Sequence, residues 1–338
     1  LAAASFGAGC GGEDRSLYKP AQTVAATSGG SQGGAGGTMA TTASGAGGEI
    51  SLTTGSGGAS TGCEKVDFVF IVDNSVSMAE QQAALIKSFP SFISTIQSTI
   101  KAGSDYHIMV VDTDAETRCT PANCKSGAMN AKDLCINTSD GGYACKTSFE
   151  KCDSVLGAGV VHAAGEGASN QDCMLEGGQR YIVEAEADKE AAFSCIAKVG
   201  LAGHPQERPM DAMVASLAAD INAPDGCNAG FLREDAILVL TFISDDPNYE
   251  DEGTPQDWYD AVVAAKGGNA EAVAVLGFTP AFQGCATKPG AGDHWSEFIA
   301  LWGDRGLEAS VCEDDYGAPF TEAVKIIDET CDEFSGPK

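Results

Sequence analysis

Three oxygen-bearing side chains stand at alternate positions just after an apolar stretch of the sequence. Asp73, Ser75 and Ser77 follow the run Val66–Val72, and a helical pattern begins directly after them. A carboxylate and two hydroxyls on one short loop are hard oxygen donors, which suit Mg²⁺, Mn²⁺ or Ca²⁺. The same residue types also cap helix N-termini, so the spacing alone leaves a capping role open.

The segments that must position this loop alternate between strand-like and helix-like patterns. Apolar runs predict strands at 66–72, 106–111, 236–243, 272–278 and 307–311. Helical patterns occupy 79–101, with an interruption or kink at Pro90, and then 189–199, 210–221, 255–266, 294–302 and 319–333. This alternation predicts an α/β fold with a doubly wound, mainly parallel sheet and helices on both faces. Such sheets bind ligands at the carboxyl ends of their strands, where Asp73 lies.

The spacing Asp73-x-Ser75-x-Ser77 after an apolar strand resembles a known motif. It is similar to the first motif of the metal-ion-dependent adhesion site in von Willebrand factor A domains and integrin I domains. The third motif of that family is an Asp that closes the fourth strand, and Asp245 after the run Leu238–Ser244 matches it. The resemblance implies a von Willebrand factor A fold, which is Rossmann-like, and one bound divalent cation.

The second motif of the family departs from its usual pattern in this chain. The family usually has a Thr before a helix that contains Ala-Leu, and alignment of Ala212 and Met213 with that pair places Glu207 at the Thr position. A Glu here makes the site more anionic, so Ca²⁺ is slightly favoured over Mg²⁺ and Mn²⁺, and an acidic partner is disfavoured. The ligands that the resemblance implies are Asp73, Ser75, Ser77, Glu207 and Asp245.

A variant with Glu at this position is typical of bacterial von Willebrand factor A-like lipoproteins, which this chain also resembles at 228–236, 244–246 and 310–312. These relatives imply a metal-dependent binding or adhesion module that contacts a protein or another macromolecule. A structural subunit of the cell envelope or of an appendage, in which the metal only stabilises the fold, is the alternative. The resemblance covers most of residues 64–334 apart from the insert described below.

The thirteen cysteines indicate an oxidising compartment. Six of them lie in an insert at about 116–178, which has little periodicity, and we expect these six to pair among themselves: Cys119, Cys124, Cys135, Cys145, Cys152 and Cys173. A zinc module is the competing interpretation, but the insert has no Cys-x-x-Cys pair. For the other cysteines of the domain we expect the pairs Cys285–Cys312, Cys195–Cys227 and Cys63–Cys331.

The N-terminal region predicts a membrane anchor and a tether. Small residues lead into Cys10, which resembles the end of a bacterial lipoprotein signal peptide with Cys10 as the lipidated residue. An ordinary secretory signal is the alternative. Residues 11–62 are rich in Gly, Ser, Ala and Thr and predict a flexible tether, so residues 63–338 form the folded domain. The expected location is the bacterial cell surface or outer membrane, with membrane contact only through the lipid.

The net charge and the motifs of the sequence disfavour nucleic-acid binding and catalysis. The formal net charge of −28 disfavours nucleic acid as a partner. The sequence contains no His-x-x-x-His pair and no Gly-x-Ser-x-Gly elbow, so we expect no catalytic residues. Three weaker features remain open: the acidic run Asp245–Glu252 as a second Ca²⁺ loop or a solvated loop, Glu80 as an additional carboxylate, and Asp112 with Asp114 as a rim or turn cap. The sequence does not indicate an oligomeric state.

Overall fold

A computed structural model describes residues 64–99, 105–114, 150–163, 166–201, 203, 207–282, 285 and 293–334. These residues build a six-stranded sheet of order β3-β2-β1-β4-β5-β6. The strands are β1 (Lys65–Val72), β2 (Asp105–Asp112), β3 (Ile182–Val183), β4 (Ile237–Ile243), β5 (Val273–Thr279) and β6 (Gly306–Ser310). Five of them are parallel, and β3 pairs antiparallel with β2. The predicted α/β fold with a mainly parallel sheet is therefore confirmed.

Helices lie on both faces of this sheet. Those of the described ranges are α1 (Ala79–Thr99), α2 (Lys189–Ile196), α3 (Pro209–Leu217), α4 (Pro255–Ala265), α5 (Asp293–Ala300) and α6 (Gly317–Glu333). Phe68 and Phe70 of β1 share one core with α1, α2 and α6, whereas Val69 and Ile71 share the other with α3, α4 and α5. Successive strand side chains point to opposite faces, so a strand covered on both sides must be apolar throughout.

The helix α1 contains Pro90 and still runs as one helix from Ala79 to Thr99. The predicted interruption is therefore absent. An internal proline costs about 3 kcal/mol, but the flanking Phe89 and Phe92 are buried against the sheet. Burial of each such side chain contributes about 1.5–3 kcal/mol, which offsets that cost.

Other elements also differ from the sequence prediction, and the helix predicted at 189–199 ends at Ile196. The helix α3 ends at Leu217, because the Asn222 amide donates hydrogen bonds to the carbonyls of Ser216 (2.8 Å) and Ala218 (2.9 Å) and so satisfies the last turn. The strand β3 was not predicted, since two residues are too short to show a periodic pattern. The predicted start of α4 is confirmed: Thr254 accepts a hydrogen bond from the Asp257 N–H, and Pro255 is the first helical residue.

The disulfides correct part of the predicted pairing. The structure contains the predicted Cys285–Cys312 bond, but it pairs Cys227 with Cys152 and Cys195 with Cys173. Two insert cysteines therefore bind to the domain rather than to other insert cysteines. The physical reason is that the end of the insert packs on the domain: the Val160 N–H donates to the Val110 carbonyl of β2 at 2.8 Å.

Several predictions fall on residues that the structure does not describe. They concern the signal remnant 1–10 with Cys10, the tether 11–62, and insert cysteines before residue 150. Cys331 is disulfide-bonded, and Cys63, its predicted partner, lies outside the described residues. The disulfides that are described indicate an oxidising, extracytoplasmic compartment. Within the described ranges, no helix has the length and apolar character needed to cross a membrane.

Loss of the Cys152–Cys227 bond is expected to lower the free energy of unfolding by about 2–5 kcal/mol. This bond closes a loop of 75 residues, whereas the Cys173–Cys195 bond closes only 22. Urea unfolding of the chain with Cys152→Ser and Cys227→Ser measures the change, and the matched pair Cys173→Ser with Cys195→Ser should lose less. A larger loss from the shorter loop would contradict this ranking.

Candidate metal centre

Asp73 and Asp245 lie side by side because their strands are neighbours. Strands β1 and β4 pair in parallel register, with Val72 opposite Ile243. The Asp73 N–H extends this pairing by one bond and donates to the Ile243 carbonyl at 3.0 Å. Asp73 therefore follows β1 at the carboxyl edge of the sheet, and Asp245 follows β4 at the same edge. The parallel topology brings together two carboxylates that are 172 positions apart in the sequence.

The Asp73 side chain is fully buried and held from two directions. One carboxylate oxygen accepts the Ser75 N–H at 2.7 Å, and the other accepts the Ser244 hydroxyl at 2.6 Å. Burial raises the pKa of Asp73 to about 7, and the hydrogen bonds from Ser244 and Ser75 oppose that rise. A carboxylate in this position is costly in its charged form unless a positive charge accompanies it.

The two serine hydroxyls connect Asp73's loop to Asp245. The Ser75 and Ser77 oxygens are 3.1 Å apart, and the Ser77 hydroxyl donates to Asp245 Oδ1 at 2.9 Å. Ser77 is exposed, whereas Ser75 and Asp245 are buried, so the cluster opens to solvent at Ser77. Four of the five predicted site residues thus form one continuous polar cluster.

The geometry of the loop 75–78 argues against a helix-capping role for Ser75 and Ser77. A 3-10 turn at Val76–Met78 leads into α1, and Ser75 stands at its N-cap position without making a side-chain capping bond. The Ser77 hydroxyl is directed to Asp245 rather than to a helix N–H. Both hydroxyls are therefore available as oxygen donors in the cluster.

Glu207, the fifth predicted residue, lies just before α3 and is only 2% exposed. One carboxylate oxygen accepts a short hydrogen bond from the Thr113 hydroxyl, and the Arg208 N–H donates to the Thr113 carbonyl at 3.0 Å. The other oxygen, Oε1, is buried and has no hydrogen-bond partner among the described residues. Burial raises the pKa of Glu207 well above its usual range, and the charges of Asp73 and Asp114 raise it further.

The carboxylates alone do not form a metal site in the described residues. In the part of the chain that the structure describes, no group of three or more Asp, Glu, His or Cys side chains is arranged to hold a metal ion. A cation here would therefore depend on the Ser75 and Ser77 hydroxyls as well as on Asp73 and Asp245. The orphaned Oε1 of Glu207 fits this need, because a buried carboxylate oxygen requires a donor, a water or a cation.

Two supporting contacts hold the loop of Asp73 against the loop that precedes Glu207. The Gln82 amide donates to the carbonyls of Asp73 (3.0 Å) and Gly200 (2.8 Å). The Gly203 N–H donates to the Asn74 carbonyl at 2.9 Å, and a Cβ at Gly203 would lie 1.9 Å from Asn74 Oδ1. Glycine is therefore required for this close approach.

Sequence reasoning missed two residues beside the cluster. Thr113 bonds Glu207, and Ser244 bonds Asp73. Both directly follow a strand, after β2 and β4, and that position at the carboxyl edge is the signal that identifies them.

The three weaker candidates from the sequence occupy different parts of the structure. Asp112 and Asp114 are buried at the end of β2, where the Asp112 carboxylate accepts the Asp114 N–H at 3.3 Å, and Glu80 is exposed in the first turn of α1. In the acidic loop, Asp251 accepts the Asp211 N–H at 2.9 Å, at the start of α3. Glu252 pairs with Arg208 at 3.1 Å. These contacts give the acidic loop a structural role in fixing α3 and, through it, Glu207.

Asp251 gives a pH-dependent prediction. Burial raises its pKa from 3.8 to about 8, while hydrogen bonds from the Asp211 and Met210 N–H groups oppose the rise. The folded chain holds this proton more tightly than the unfolded chain, so the resulting stability is complete below pH 4 and is lost as pH rises towards 8. One such group changes the free energy of unfolding by at most about 1.4 kcal/mol per pH unit.

Asp251→Asn is therefore expected to reduce the loss of stability between pH 4 and 8. Urea unfolding across this range in the presence of chelator measures the slope without a contribution from metal binding. Asp332→Asn, an exposed change on α6, serves as the control and should leave the slope unaltered. Equal slopes for Asp251→Asn and the unmodified chain would contradict the prediction.

The architecture on which this centre is built is an α/β domain with a mixed, mostly parallel sheet of six strands. Comparison of the chain with protein-family models gives no match, and comparison with curated proteins gives none either. The interpretation of the centre therefore depends on the geometry of the cluster around Asp73 and Asp245.

Proposed function

We propose that this chain is a divalent-metal-dependent binding module of a cell-surface lipoprotein. The observation that carries the proposal is the polar cluster at the carboxyl edge of the sheet, in which Ser77 bonds both Ser75 and Asp245 beside the buried Asp73. The proposed domain is similar to von Willebrand factor A domains, whose metal motif has the same spacing. The finer statements, adhesion and a protein partner, rest on that resemblance.

The donor set fits one hard cation. The oxygens available are the carboxylates of Asp73 and Asp245 and the hydroxyls of Ser75 and Ser77, with Glu207 as a fifth contributor directly or through water. A divalent ion would offset the cost of the buried charges at Asp73 and Glu207. Ca²⁺ is slightly favoured over Mg²⁺ and Mn²⁺, because it accepts more oxygen ligands in a less regular geometry. An ion held by these residues would supply Lewis-acid attraction for an oxygen atom of a partner.

The exposure of the cluster residues supports one side of approach for the proposed partner. Ser77 is the exposed member of the set, while Asp73 is held below the surface by Ser244 and the Ser75 N–H. A macromolecular ligand would therefore approach from the side of Ser77. The location that we propose is extracytoplasmic, with Cys10 as the lipidated residue and residues 11–62 as a tether that holds the domain away from the membrane.

A structural role for the metal is the second candidate. It is favoured by the way in which the cluster joins the ends of β1 and β4 to the start of α1. In that case the chain is a subunit of the cell envelope or of an appendage, and the cation stabilises the fold without contacting a partner.

Ser77→Ala separates the two candidates, because Ser77 is exposed and its loss should leave the core intact. Cells that display the full chain are tested for adhesion to other cells and surfaces in Ca²⁺ and in chelator, and the melting temperature is measured in parallel. Metal-dependent binding predicts adhesion in Ca²⁺ that chelator or Ser77→Ala removes. Unchanged adhesion together with a lower melting temperature in Ca²⁺ would favour the structural role. Leu301→Ser, an exposed change outside the cluster, serves as the control.

A further inference from the structure

Exposed apolar side chains are concentrated at the edge that carries the candidate metal centre. Three of the five large apolar side chains exposed in the described ranges are Val76 (76% exposed), Tyr249 (48%) and Phe282 (38%). They follow β1, β4 and β5, which are neighbours in the sheet. Neighbouring strands are about 4.8 Å apart, so these three loops begin within about 10 Å of one another.

The same edge is strongly acidic. Glu250 follows β4, and Glu313 and Asp314 follow β6; all three are exposed and make no ion pair with any residue that the structure describes. The nearby Arg208 is already engaged with two carboxylates, at 2.5 Å from Asp211 and 3.1 Å from Glu252. Lys87 of α1 is likewise paired, with Asp315 at 3.1 Å, so both of these cations of the described residues are already engaged with carboxylates, in a chain whose formal net charge is −28.

The segments that follow β4 and β6 both contact the end of β5. Tyr316 is buried beside β5 and the end of β6: its hydroxyl donates to the Val311 carbonyl at 2.8 Å, and its ring stacks on Phe278 of β5. Burial raises the pKa of Tyr316, and the charges of both Asp245 and Glu313 raise it further. The Ser244 N–H donates to the Phe278 carbonyl at 3.2 Å, and the Val311 N–H donates to the Thr279 carbonyl at 3.1 Å. The segments that lead to Asp245 and Glu313 therefore both adjoin the end of β5.

We define the acidic-apolar face as Val76, Tyr249, Phe282, Glu250, Glu313 and Asp314. We propose that this face binds a basic amphipathic segment of a partner protein, in which apolar side chains alternate with Lys or Arg. The inference deepens the proposed function by naming the partner's chemistry. A cluster of exposed apolar groups indicates a protein contact, and the surrounding carboxylates select a positively charged partner. Nucleic acids and anionic membranes are repelled by the same charges.

The acidic side chains of the face also restrict which oxygen of the partner would reach a metal ion at the cluster. A carboxylate of the partner would have to approach through the negative potential of Glu250, Glu313 and Asp314. A backbone carbonyl or a hydroxyl between basic residues avoids that repulsion. The partner is therefore expected to contribute a neutral oxygen, with its Lys or Arg side chains placed on the surrounding acids.

The test uses the full chain and a fluorescent 18-residue peptide of Lys and Leu at helical spacing, together with a counterpart in which Glu replaces every Lys. Anisotropy in chelator should show binding of the Lys peptide at least tenfold tighter than that of the Glu peptide. Tyr249→Ser with Phe282→Ser should weaken the binding about tenfold. Glu250→Gln with Glu313→Gln and Asp314→Asn should weaken it about fivefold and reduce its salt dependence.

Matched controls distinguish this face from the general negative charge of the chain. Leu301→Ser removes an exposed apolar side chain elsewhere, and Glu329→Gln with Asp332→Asn and Glu333→Gln removes three exposed acids from α6. These controls should stay within about twofold of the unmodified chain. Equal losses from the face and control variants would overturn the proposal, as would equal binding of the two peptides. Circular dichroism melting confirms that each variant is folded.

The experiments distinguish an error in the proposed metal function from an error in the proposed role of the acidic-apolar face. Chelator removes free divalent cations, so binding of the Lys and Leu probe under this condition does not require a metal ion. A chain that binds no metal but discriminates between the peptides through the face would refute the metal function alone. A chain that binds metal but shows no dependence on the face variants would refute this inference alone.

Discussion

Replacing Asp73 by alanine is expected to weaken the binding of Ca²⁺, Mg²⁺ and Mn²⁺ by at least about 100-fold, because loss of residues that merely support a metal ligand already costs about 10–100-fold. Asp73 is the fully buried carboxylate of the cluster, and Ser75 and Ser244 fix its orientation. Isothermal titration calorimetry with each metal measures the change, after the chain has been treated with chelator.

The matched control for this substitution is Asp332→Ala, which removes an exposed carboxylate on α6 far along the chain from the cluster. It should leave the affinity unchanged, since nonspecific attraction of a divalent ion to a chain of net charge −28 differs little when one charge is removed. If Asp73→Ala and Asp332→Ala bind metal equally well, Asp73 is not a ligand. Circular dichroism in chelator shows whether each variant is folded.

Replacing Arg233 by methionine is expected to lower the free energy of unfolding by about 3–5 kcal/mol, because it leaves a buried carboxylate without its partner. Asp67 lies inside β1 and is fully buried. It accepts two hydrogen bonds from Arg233, one from the backbone N–H and one from Nε, each at 2.8 Å. The same guanidinium pairs with Asp105 at 2.7 Å. Urea unfolding at pH 7.5 measures the loss.

A double variant isolates the buried charge as the cause. Burial raises the pKa of Asp67 to about 6 even beside Arg233, so the carboxyl is ionised at pH 7.5 and costly when left alone. Asp67→Leu combined with Arg233→Met removes both charges and should recover most of the lost stability. Asp235→Asn breaks the more exposed pair with Lys65 and should cost less than about 1 kcal/mol. An Arg233→Met loss as small as that of Asp235→Asn would refute the argument.

Most of the fold follows from local patterns that the sequence displays. The strands β1 and β4 are apolar at nearly every position, since both of their faces are covered. The start of α4 is equally local, because Thr254 and Pro255 define it directly. The predicted interruption at Pro90 was wrong, since local helix propensity takes no account of the core contacts of the neighbours of Pro90.

The residues of the candidate site also form two groups: those that the sequence displays and those that only the folded chain brings together. The spacing of Asp73, Ser75 and Ser77 is visible in the sequence, and Asp245 follows from the end of an apolar run. Glu207 was found only by resemblance, and its Thr113 partner depends on how two distant loops meet. The disulfides are nonlocal as well: Cys152 and Cys227 are 75 residues apart, and no sequence pattern relates them.

Thermal unfolding of the chelator-treated chain, titrated with Ca²⁺, Mg²⁺ and Mn²⁺, tests the metal centre most directly. A ligand that binds only the folded state must raise the melting temperature as its concentration increases; at 100 times the dissociation constant the gain is about 2.7 kcal/mol. We expect such a rise with at least one of these ions, and we expect Asp73→Ala to remove it. A melting temperature that does not change with any of the three at millimolar concentration would contradict a metal-dependent function.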